Sequence, residues 1–351
     1  MKVAVLEYLS GGGLIDNAIS PSLHQEGMAM LSALSNDLIL SGHQVQTCLD
    51  RASLTQRNSL HRDVQVHELG PASVDWLKAW DAIARNCDRT VVIAPELDNQ
   101  LEQIVERLRE TGTNVVASTQ VFLRATSDKL ITAQLLLKAS VAHPSTCTLS
   151  QFVEESTNTT RPMPMTVKRR DGAGCADMKN FSNASVLKKW FAKQDITGDE
   201  WIVQPWFAGR PASMAIIADD HWHVLGAVEQ IIELAPSSFD SEISNVSYRG
   251  GAGPLVGVTN DPLERLANNV RQALPPDARG WIGIDFLVPI DPLGSKEFVV
   301  IEVNPRLTTS YLGYRQWYGH QLAHALVDTA GTSSLTAQKS SIFQLGERRK
   351  W

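Results

Sequence analysis

The 351-residue sequence lacks the features that mark several large classes of protein. Its four cysteines lie far apart, with no Cys-x-x-Cys pair and no zinc-site spacing, so a disulfide framework is not expected. No run approaches the roughly 20 apolar residues that a membrane helix needs, and the apolar N-terminus is too short for a signal peptide. We therefore predict a cytoplasmic protein with reduced thiols and no membrane partner.

The sequence also lacks an excess of positive charge. It has 32 Lys and Arg residues against 38 Asp and Glu residues, which gives a net charge of -6. Nucleic-acid binding relies on basic side chains that neutralise phosphates, so nucleic acid is not expected as a partner. The basic cluster at 168–170 is short enough to serve a small phosphorylated ligand instead. No Ser-His-Asp or Cys-His arrangement is apparent among the nine histidines, which disfavours a nucleophilic triad.

The sequence does contain a sizeable hydrophobic fraction, 43%, and its length suits two or three packed units. The first third alternates strand-like and helix-like segments, which predicts an α/β unit with a parallel sheet. Its predicted strands are Val3–Leu9, Val45–Leu49, Val64–Leu69, Thr90–Ala94 and Asn114–Ala117, and its predicted helices are Gln25–Leu40, Ser73–Asn86 and Asp98–Glu110. The remainder is richer in strands, with predicted helices over Ser118–Ala139, Ala184–Ala192, Leu263–Leu274 and Gly319–Thr329 and a hairpin of Met214–Ile217 with Trp222–Ile232.

Two apolar runs near the end of the chain carry oxygen-bearing side chains. These runs are Gly280–Val288 and Phe298–Arg306. Residues i and i+2 of a strand point to one face, so Glu302 and Asn304 project together, and Asp285 joins them if the two runs pair. Two carboxylates and an amide suit Mg²⁺, and Arg306 just beyond can clamp a phosphate or a carboxylate. An ordinary hairpin with polar ends is the open alternative.

Three further segments suit a phosphorylated ligand. Lys129 begins a predicted helix, and Lys168 precedes a loop of small residues, 171–174, whose backbone N–H groups can approach phosphates. The segment Trp201–Arg210 is an apolar strand followed by aromatic residues and a glycine, which can line an adenine slot. Taken singly, the lysines are more often solvated, the small-residue loop is more often a turn, and the hinge segment is more often a core strand. We expect both lysines to be partly exposed, so their replacement should barely change stability.

In order and spacing, these segments resemble the ATP-grasp superfamily of carboxylate–amine ligases over roughly residues 118–328. The resemblance is carried by Ser127-Asp128-Lys129, Val167-Lys168 with its glycine loop, Gly283-Ile284-Asp285 and Ile301-Glu302-Val303-Asn304-Pro305-Arg306. It implies a pre-ATP-grasp α/β domain at 1–118, an ATP-grasp domain at 119–330 with a lid at about 144–207, and a flexible tail at 331–351. The fold class is α/β, becoming α+β in the C-terminal part. A homodimer is left open.

The resemblance also implies a role for each matching residue. Lys129 and Lys168 would contact the phosphates of ATP, and the adenine hinge would consist of Gln204, Trp206 and Phe207. The metal ligands would be Asp285, Glu302 and Asn304, holding Mg²⁺ or alternatively Mn²⁺, and Arg306 would face the transferred phosphate. Relatives carry ribose-binding glutamates where this sequence has Pro205 and Pro211, so no ribose ligand is assigned.

Within the superfamily, the sequence is similar to the tyramine–glutamate ligases of methanofuran biosynthesis. The similar text is Glu7–Gly13, Glu26–Met30 and Asn304–Tyr311. This likeness implies that glutamate is joined to tyramine or tyrosine, with Gly11, Gly12, Glu26 and Thr308 at the substrates, Arg249 beside Arg306 for the carboxylates, and Glu7 or Glu26 for the ammonium group. Open alternatives are another amino-acid or peptide pair, a kinase that releases an acyl phosphate, and a nucleotide-binding relative without catalysis.

Overall fold

The computed structural model describes residues 1–13, 21–70, 75–155, 163–175, 177–237, 240–290, 297–329, 332, 335–337 and 342–345. The N-terminal unit has a parallel sheet in the order β3-β2-β1-β4, made of β1 (Lys2–Glu7), β2 (Gln44–Leu49), β3 (Gln65–Glu68) and β4 (Arg89–Ile93). Its helices are α1 (Pro21–Leu40), α2 (Trp76–Ala84) and α3 (Gln100–Glu110), with 3-10 turns at Ser53–Ser59 and Leu97–Asn99. The predicted parallel α/β unit is confirmed.

Two helices of this unit end at glycines. Gly42 adopts a φ of +83° and Gly112 a φ of +81°, the left-handed conformation that closes α1 and α3. The prediction that α3 begins at Asp98 is wrong, because Asp98 and Asn99 adopt left-handed angles and the helix begins at Gln100. The predicted strand at 114–117 is reduced to one bridge between Thr90 and Val115. The predicted start of α2 at 73–74 lies outside the described residues.

One predicted helix, at 118–139, is two helices in the structure: α4 (Gln120–Ser127) and α5 (Lys129–Lys138). Asp128 between them adopts an extended conformation, with φ of −97° and ψ of 107°, and its carboxylate accepts hydrogen bonds from the backbone N–H groups of Leu130 and Ile131. This is an N-cap, which satisfies amide groups that a new helix leaves without partners. The break fixes Lys129 as the first residue of α5.

The larger sheet is antiparallel and runs in the order β13-β12-β9-β10-β11-β7-β6-β8-β5, with β14 beside β11. Its strands are β5 (Cys147–Thr148), β6 (Met165–Arg169), β7 (Lys179–Phe181), β8 (Trp201–Pro205), β9 (Gly209–Ala218), β10 (Trp222–Pro236), β11 (Ile243–Gly253), β12 (Gly280–Pro289), β13 (Val299–Asn304) and β14 (Phe343–Leu345). Its helices are α6 (Leu149–Glu155), α7 (Ala184–Phe191), α8 (Asn260–Ala273), α9 (Tyr311–Tyr318) and α10 (Gln321–Val327), with a 3-10 turn at Gly198–Glu200. The predicted β9–β10 hairpin is confirmed.

Four hydrophobic cores hold these layers together. One covers a face of the parallel sheet and continues through α1 into α9, α10 and β9, so it joins the two units. A second packs α2 and α3 on the other face, and a third packs α8 against the large sheet. The fourth lies among β5–β8, α6 and α7, within the segment predicted as a lid. Among the described residues, no helix is long and apolar enough to cross a membrane.

Part of the segment predicted as a flexible tail is anchored. Phe343 is 3% exposed, and its ring centroid lies 4.9 Å from that of Trp317. Gly313 and Gly253 make room for it, since a Cβ at Gly313 would lie 2.1 Å from the Phe343 ring and one at Gly253 would lie 2.9 Å from it. The prediction is therefore wrong for β14, while most of 331–351 lies outside the described residues.

Candidate functional site

A cavity of about 490 Å³ opens between the parallel-sheet unit and the large sheet. Most of the predicted site residues line it, namely Glu26, Lys168, Gln204, Trp206, Phe207, Asp285, Glu302, Asn304, Arg306 and Thr308. Lys129 lies behind the wall, where its ammonium group donates to the carbonyl of Gly172. Gly11, Gly12 and Arg249 do not line the cavity.

Strand pairing brings the predicted oxygen ligands together. β12 and β13 are antiparallel neighbours, with Asp285 opposite Glu302 and Gly283 opposite Asn304. The amide Nδ2 of Asn304 donates to Oδ2 of Asp285 at 3.3 Å. Because facing residues on neighbouring strands project to the same side, both carboxylates and the amide point into the cavity. The two runs thus pair as neighbouring strands, which is the condition for a shared site.

The two carboxylates differ in their electrostatic surroundings. Burial, followed by repulsion from Glu302, raises the pKa of Asp285 from 3.8 to about 7, against hydrogen bonds from Ser213 and Gln230 that lower it. Burial alone would also raise the pKa of Glu302, but the positive charges of Lys129 and Lys168 outweigh burial and lower it. Of the two carboxylates, Glu302 therefore keeps its negative charge to lower pH, and Asp285 takes up a proton more readily.

Both lysines are buried, so the expectation that they are partly exposed is wrong. Lys129 is 8% and Lys168 6% exposed. Their Nζ atoms lie 3.8 Å and 3.4 Å from Oε2 of Glu302. The two lysines share one buried carboxylate, so removing either cation changes the charge balance of a buried cluster. Replacing either lysine should therefore lower the free energy of unfolding as well as weaken ligand binding. Burial lowers the pKa of Lys168.

The donor set fits a magnesium ion. Two buried carboxylates that repel one another, with an amide oxygen nearby, form the hard-oxygen surroundings that Mg²⁺ prefers. Burial and then repulsion from Glu302 raise the pKa of Asp285, and a bound cation would offset both. Over the described residues, no cluster of three or more His, Cys, Asp and Glu side chains is suited to a metal. A metal here would therefore rely on Asn304 and on oxygens from outside the protein.

Arg306 is already paired with a residue of the other unit. Its Nε donates to Oε2 of Glu96 at 2.8 Å, and the two side chains are 13% and 5% exposed. Glu96 lies just beyond β4, and its other oxygen, Oε1, has no hydrogen-bond partner among the described residues. The pair fixes one edge of the guanidinium, so the cavity-facing Arg306 is held by the parallel-sheet unit.

Glu96→Ala is expected to lower the free energy of unfolding by about 3 kcal/mol, because it leaves the guanidinium of Arg306 buried without its partner. Urea unfolding followed by circular dichroism measures the change. Glu68→Ala is the control, since Glu68 and Arg57 form a pair with more than half of each side chain exposed and should lose less than about 1 kcal/mol. Equal losses in the two variants would contradict the assignment, whereas Glu96→Ala/Arg306→Met should recover part of the loss.

The hinge segment lines another part of the cavity. Gln204 is 6% exposed and donates to the hydroxyl of Thr146 at 2.9 Å, while Phe207 is 44% exposed. Trp206 is held through its backbone N–H, which donates to the carbonyl of Pro164 at 2.8 Å. Pro205 and Pro211 also line the cavity. This wall is largely apolar and aromatic and can accept a flat ring.

The glycines after β1 lie in a tight turn that packs against α2, away from the cavity. Gly12 has a φ of +103°, and a Cβ at Gly11 would lie 2.5 Å from the carbonyl oxygen of Glu7. Trp80 donates through its indole Nε1 to the carbonyl of Gly11 at 3.0 Å. The prediction that Gly11 and Gly12 contact substrate is not supported, because the turn packs against α2 instead.

Arg249 is also placed away from the cavity. It lies on β11, and its neighbour Tyr248 lines the cavity. Adjacent residues of a strand point to opposite faces, so Arg249 points away and pairs with Glu233 at 2.6 Å. Its predicted role at a substrate carboxylate is not supported by this geometry.

Several cavity residues carried no clear sequence signal. Ser213 and Gln230 hydrogen-bond to Asp285 from β9 and β10, and Tyr248 hydrogen-bonds to Thr309. Burial raises the pKa of Tyr248 to about 12, so its hydroxyl stays protonated and can donate. These residues come from strands far apart in the chain, and only alternation along each strand could have indicated which side they face.

Comparisons with known proteins follow the same division of the chain. Residues 126–310 match the family model of the ATP-grasp domain, and residues 43–121 match that of the pre ATP-grasp 3 domain. A tyramine–L-glutamate ligase from Methanocaldococcus fervens is 21% identical over 251 residues, which are 71% of this chain and 68% of the relative.

Solved structures share the fold over nearly the whole chain. An ATP-grasp superfamily protein from Archaeoglobus fulgidus has a TM-score of 0.70 at 18% identity, covering 99% of this chain and 92% of that one. Biotin carboxylase from Campylobacter jejuni has a TM-score of 0.68 at 14% identity, covering 97% and 74%. N5-carboxyaminoimidazole synthetase from Staphylococcus aureus, complexed with ADP, has a TM-score of 0.64 at 13% identity, covering 97% and 79%. Because the ATP-grasp family model alone covers more than half of its length, the chain belongs to the ATP-grasp family.

Proposed function

We propose that this protein is an ATP-dependent ligase that joins a carboxylate to an amine and releases ADP and phosphate. The observation that carries the proposal is the shared cavity in which Asp285, Glu302 and Asn304 lie beside the buried Lys168. Oxygen ligands for a metal and a fixed cation for phosphate, next to an aromatic wall, suit phosphoryl transfer from ATP.

A carboxylate is a poor acyl donor, because its oxygen is a poor leaving group. Transfer of the γ-phosphate to that oxygen makes an acyl phosphate and ADP. The amine, after losing its ammonium proton, attacks the acyl carbon: the C–N bond forms, the C–O bond to phosphate breaks, and the remaining extra proton on nitrogen leaves with phosphate or solvent. Both steps are helped mainly by positioning and by neutralising phosphoryl oxygens, so neither requires a nucleophilic side chain.

Each residue of the site has a place in this scheme. Lys129 and Lys168 would neutralise the phosphates, and Asp285, Glu302 and Asn304 would hold Mg²⁺ or Mn²⁺. The metal, when bound, would neutralise negative charge on the phosphate groups. Arg306, with its Nε held by Glu96, would present the rest of its guanidinium to the transferred phosphate. Gln204, Trp206 and Phe207 would hold the adenine ring.

The segment at about 144–207 would act as a lid within an ATP-grasp domain at 119–330, after a pre-ATP-grasp domain at 1–118. An acyl phosphate is hydrolysed by water, so covering the site protects it. Support for a closing element comes from the core of this segment, to which β11 also contributes Ile243. Further support comes from the glycine loop, where Arg170 pairs with Asp128 and Asp171 accepts from the backbone N–H of Asp98.

The proposed substrates are glutamate as acid and tyramine or tyrosine as amine. Support comes from the 21% identical tyramine–L-glutamate ligase and from the apolar part of the cavity, which suits a phenolic ring. With Arg249 outside the cavity, candidate donors for the acid include Arg306 and the hydroxyl groups of Thr308 and Ser310, whose oxygens lie 2.8 Å apart at the cavity wall. Glu26 would also contact substrate.

A release assay for ADP tests the proposal directly. Glutamate with tyramine or tyrosine should release ADP, and only when both acid and amine are present with Mg²⁺. Release with the acid alone would favour a kinase, and no release with any pair would favour a non-catalytic relative. ADP release with a different acid–amine pair would keep the ligase and replace these substrates.

A further inference from the structure

A buried carboxylate lies in the cavity wall away from the metal strands. Glu7 is the last residue of β1, is 2% exposed and lines the cavity. Its Oε1 accepts from the backbone N–H of Leu9 at 3.0 Å, and its Oε2 accepts from the N–H and hydroxyl of Ser10 at 2.7 and 2.6 Å. All three donors are neutral. Within the described part of the chain, Glu7 forms no ion pair with a lysine, arginine or histidine.

The fold leaves specific room for this carboxylate. Gly27 of α1 faces it so closely that a Cβ there would lie 2.6 Å from Oε1 of Glu7. Around it the cavity wall is apolar, with contributions from Leu9, Met30 and Ile93. Burial raises the pKa of Glu7. A carboxylate in apolar surroundings without a cation is costly in the empty protein, and a cationic ligand would offset that cost.

Glu7 is better placed to bind a cation than Glu26, the other carboxylate that the sequence suggested for this role. Glu26 is only half-buried, whereas Glu7 is 2% exposed. The walls also differ in origin: Glu7, Leu9, Met30 and Ile93 all belong to the parallel-sheet unit, whereas the hinge and metal ligands belong to the large sheet. A ligand at Glu7 would thus meet the nucleotide across the cavity.

We propose that Glu7 binds the ammonium group of the amine substrate. Gly27 makes room for the Glu7 carboxylate, and the apolar wall selects an amine with a hydrophobic side group. This proposal rests on the ligase function proposed above and adds the residue that recognises the acceptor. Two side-chain oxygens, each already oriented by a backbone N–H, leave lone pairs for the ammonium hydrogens. Primary amines with an aromatic or aliphatic body are the substrate class that fits.

Glu7→Gln tests the proposal by comparing two acceptors in one enzyme preparation. Hydroxylamine, uncharged at about pH 8, traps the acyl phosphate as a hydroxamate and has no ammonium group to bind, so its rate should change less than about threefold. For tyramine, loss of a buried charge partner should raise KM at least about 30-fold, the equivalent of roughly 2 kcal/mol. Glu68→Gln, at the exposed end of β3, is the matched control and should leave both reactions unchanged.

The outcomes separate the two proposals. If wild-type protein gives neither hydroxamate nor amide, the ligase function fails. If wild-type protein is active and Glu7→Gln keeps the wild-type KM for tyramine, the ammonium site is overturned. If the ADP-release assay identifies a different amine as the substrate, that amine is used in place of tyramine in this test.

A second measurement covers a variant that fails to fold. In wild-type protein with glutamate and a non-hydrolysable ATP analogue, calorimetry should show tyramine binding at least about 30-fold more tightly than tyrosol, which carries a hydroxyl in place of the ammonium group. Equal affinities would overturn the proposal without any mutation.

Discussion

Glu302→Gln is expected to reduce turnover of the proposed ligase by about 1,000-fold, because it removes a proposed metal ligand and the anion shared by two lysines. The carboxylate lies 3.8 Å from Lys129 and 3.4 Å from Lys168, and both cations would remain buried with only a neutral amide beside them. We therefore also expect the free energy of unfolding to fall by about 3 kcal/mol. ADP release at saturating substrates and urea unfolding measure the two effects.

The matched control is Glu297→Gln. Glu297 is exposed and precedes β13. The same substitution there should leave turnover unchanged and the free energy of unfolding within about 0.5 kcal/mol of wild type. Activity assays should be run well below the melting temperature of the variant. Near-normal turnover of Glu302→Gln at limiting Mg²⁺ would remove Glu302 from the metal site.

Asp285→Asn is expected to have opposite effects on activity and on stability. Turnover should fall by about 1,000-fold, because a metal-binding carboxylate is lost. Stability without metal should rise, because the variant no longer buries a carboxyl group that is repelled by Glu302. The shift of its pKa from 3.8 to about 7 corresponds to an upper bound of roughly 4 kcal/mol.

The sign of this effect fixes its pH dependence. Between about pH 4 and pH 7 the folded protein binds a proton at Asp285 that the unfolded chain releases, so the wild-type free energy of unfolding falls as pH rises through that window. The asparagine variant lacks this term. Its advantage in metal-free buffer should be near zero at about pH 4 and maximal above about pH 7. An advantage that is the same across the window would contradict the buried repulsion.

Added Mg²⁺ supplies the complementary measurement. It should stabilise wild-type protein near pH 8, where a bound cation offsets the repulsion between Asp285 and Glu302, and should stabilise Asp285→Asn much less. Equal stabilisation of the two proteins would place the ion elsewhere.

Several parts of the fold were predictable because their signals are local. Alternating strands and helices indicated the parallel α/β unit, and Gly42 and Gly112 marked helix ends by a conformation that other residues adopt at a cost. The β9–β10 hairpin followed from two apolar strands around a polar turn. Local signals misled where contacts from elsewhere decide: 114–117 pairs at one residue only, and Phe343 is anchored by glycines and a tryptophan from other elements.

Strand alternation in the sequence by itself indicated that Glu302 and Asn304 share a face, which Asp285 joins if the two runs pair. The resemblance to the ATP-grasp superfamily added Lys129, Lys168 and the hinge to the candidate site. Tertiary structure alone decided which charges meet. It buried both lysines against Glu302, paired Arg306 with Glu96, turned Arg249 to the outer face of β11, and enclosed Glu7 beside Gly27. Burial and ion pairing depend on how strands far apart in the chain pack together, and a local sequence pattern does not show which distant residues come into contact.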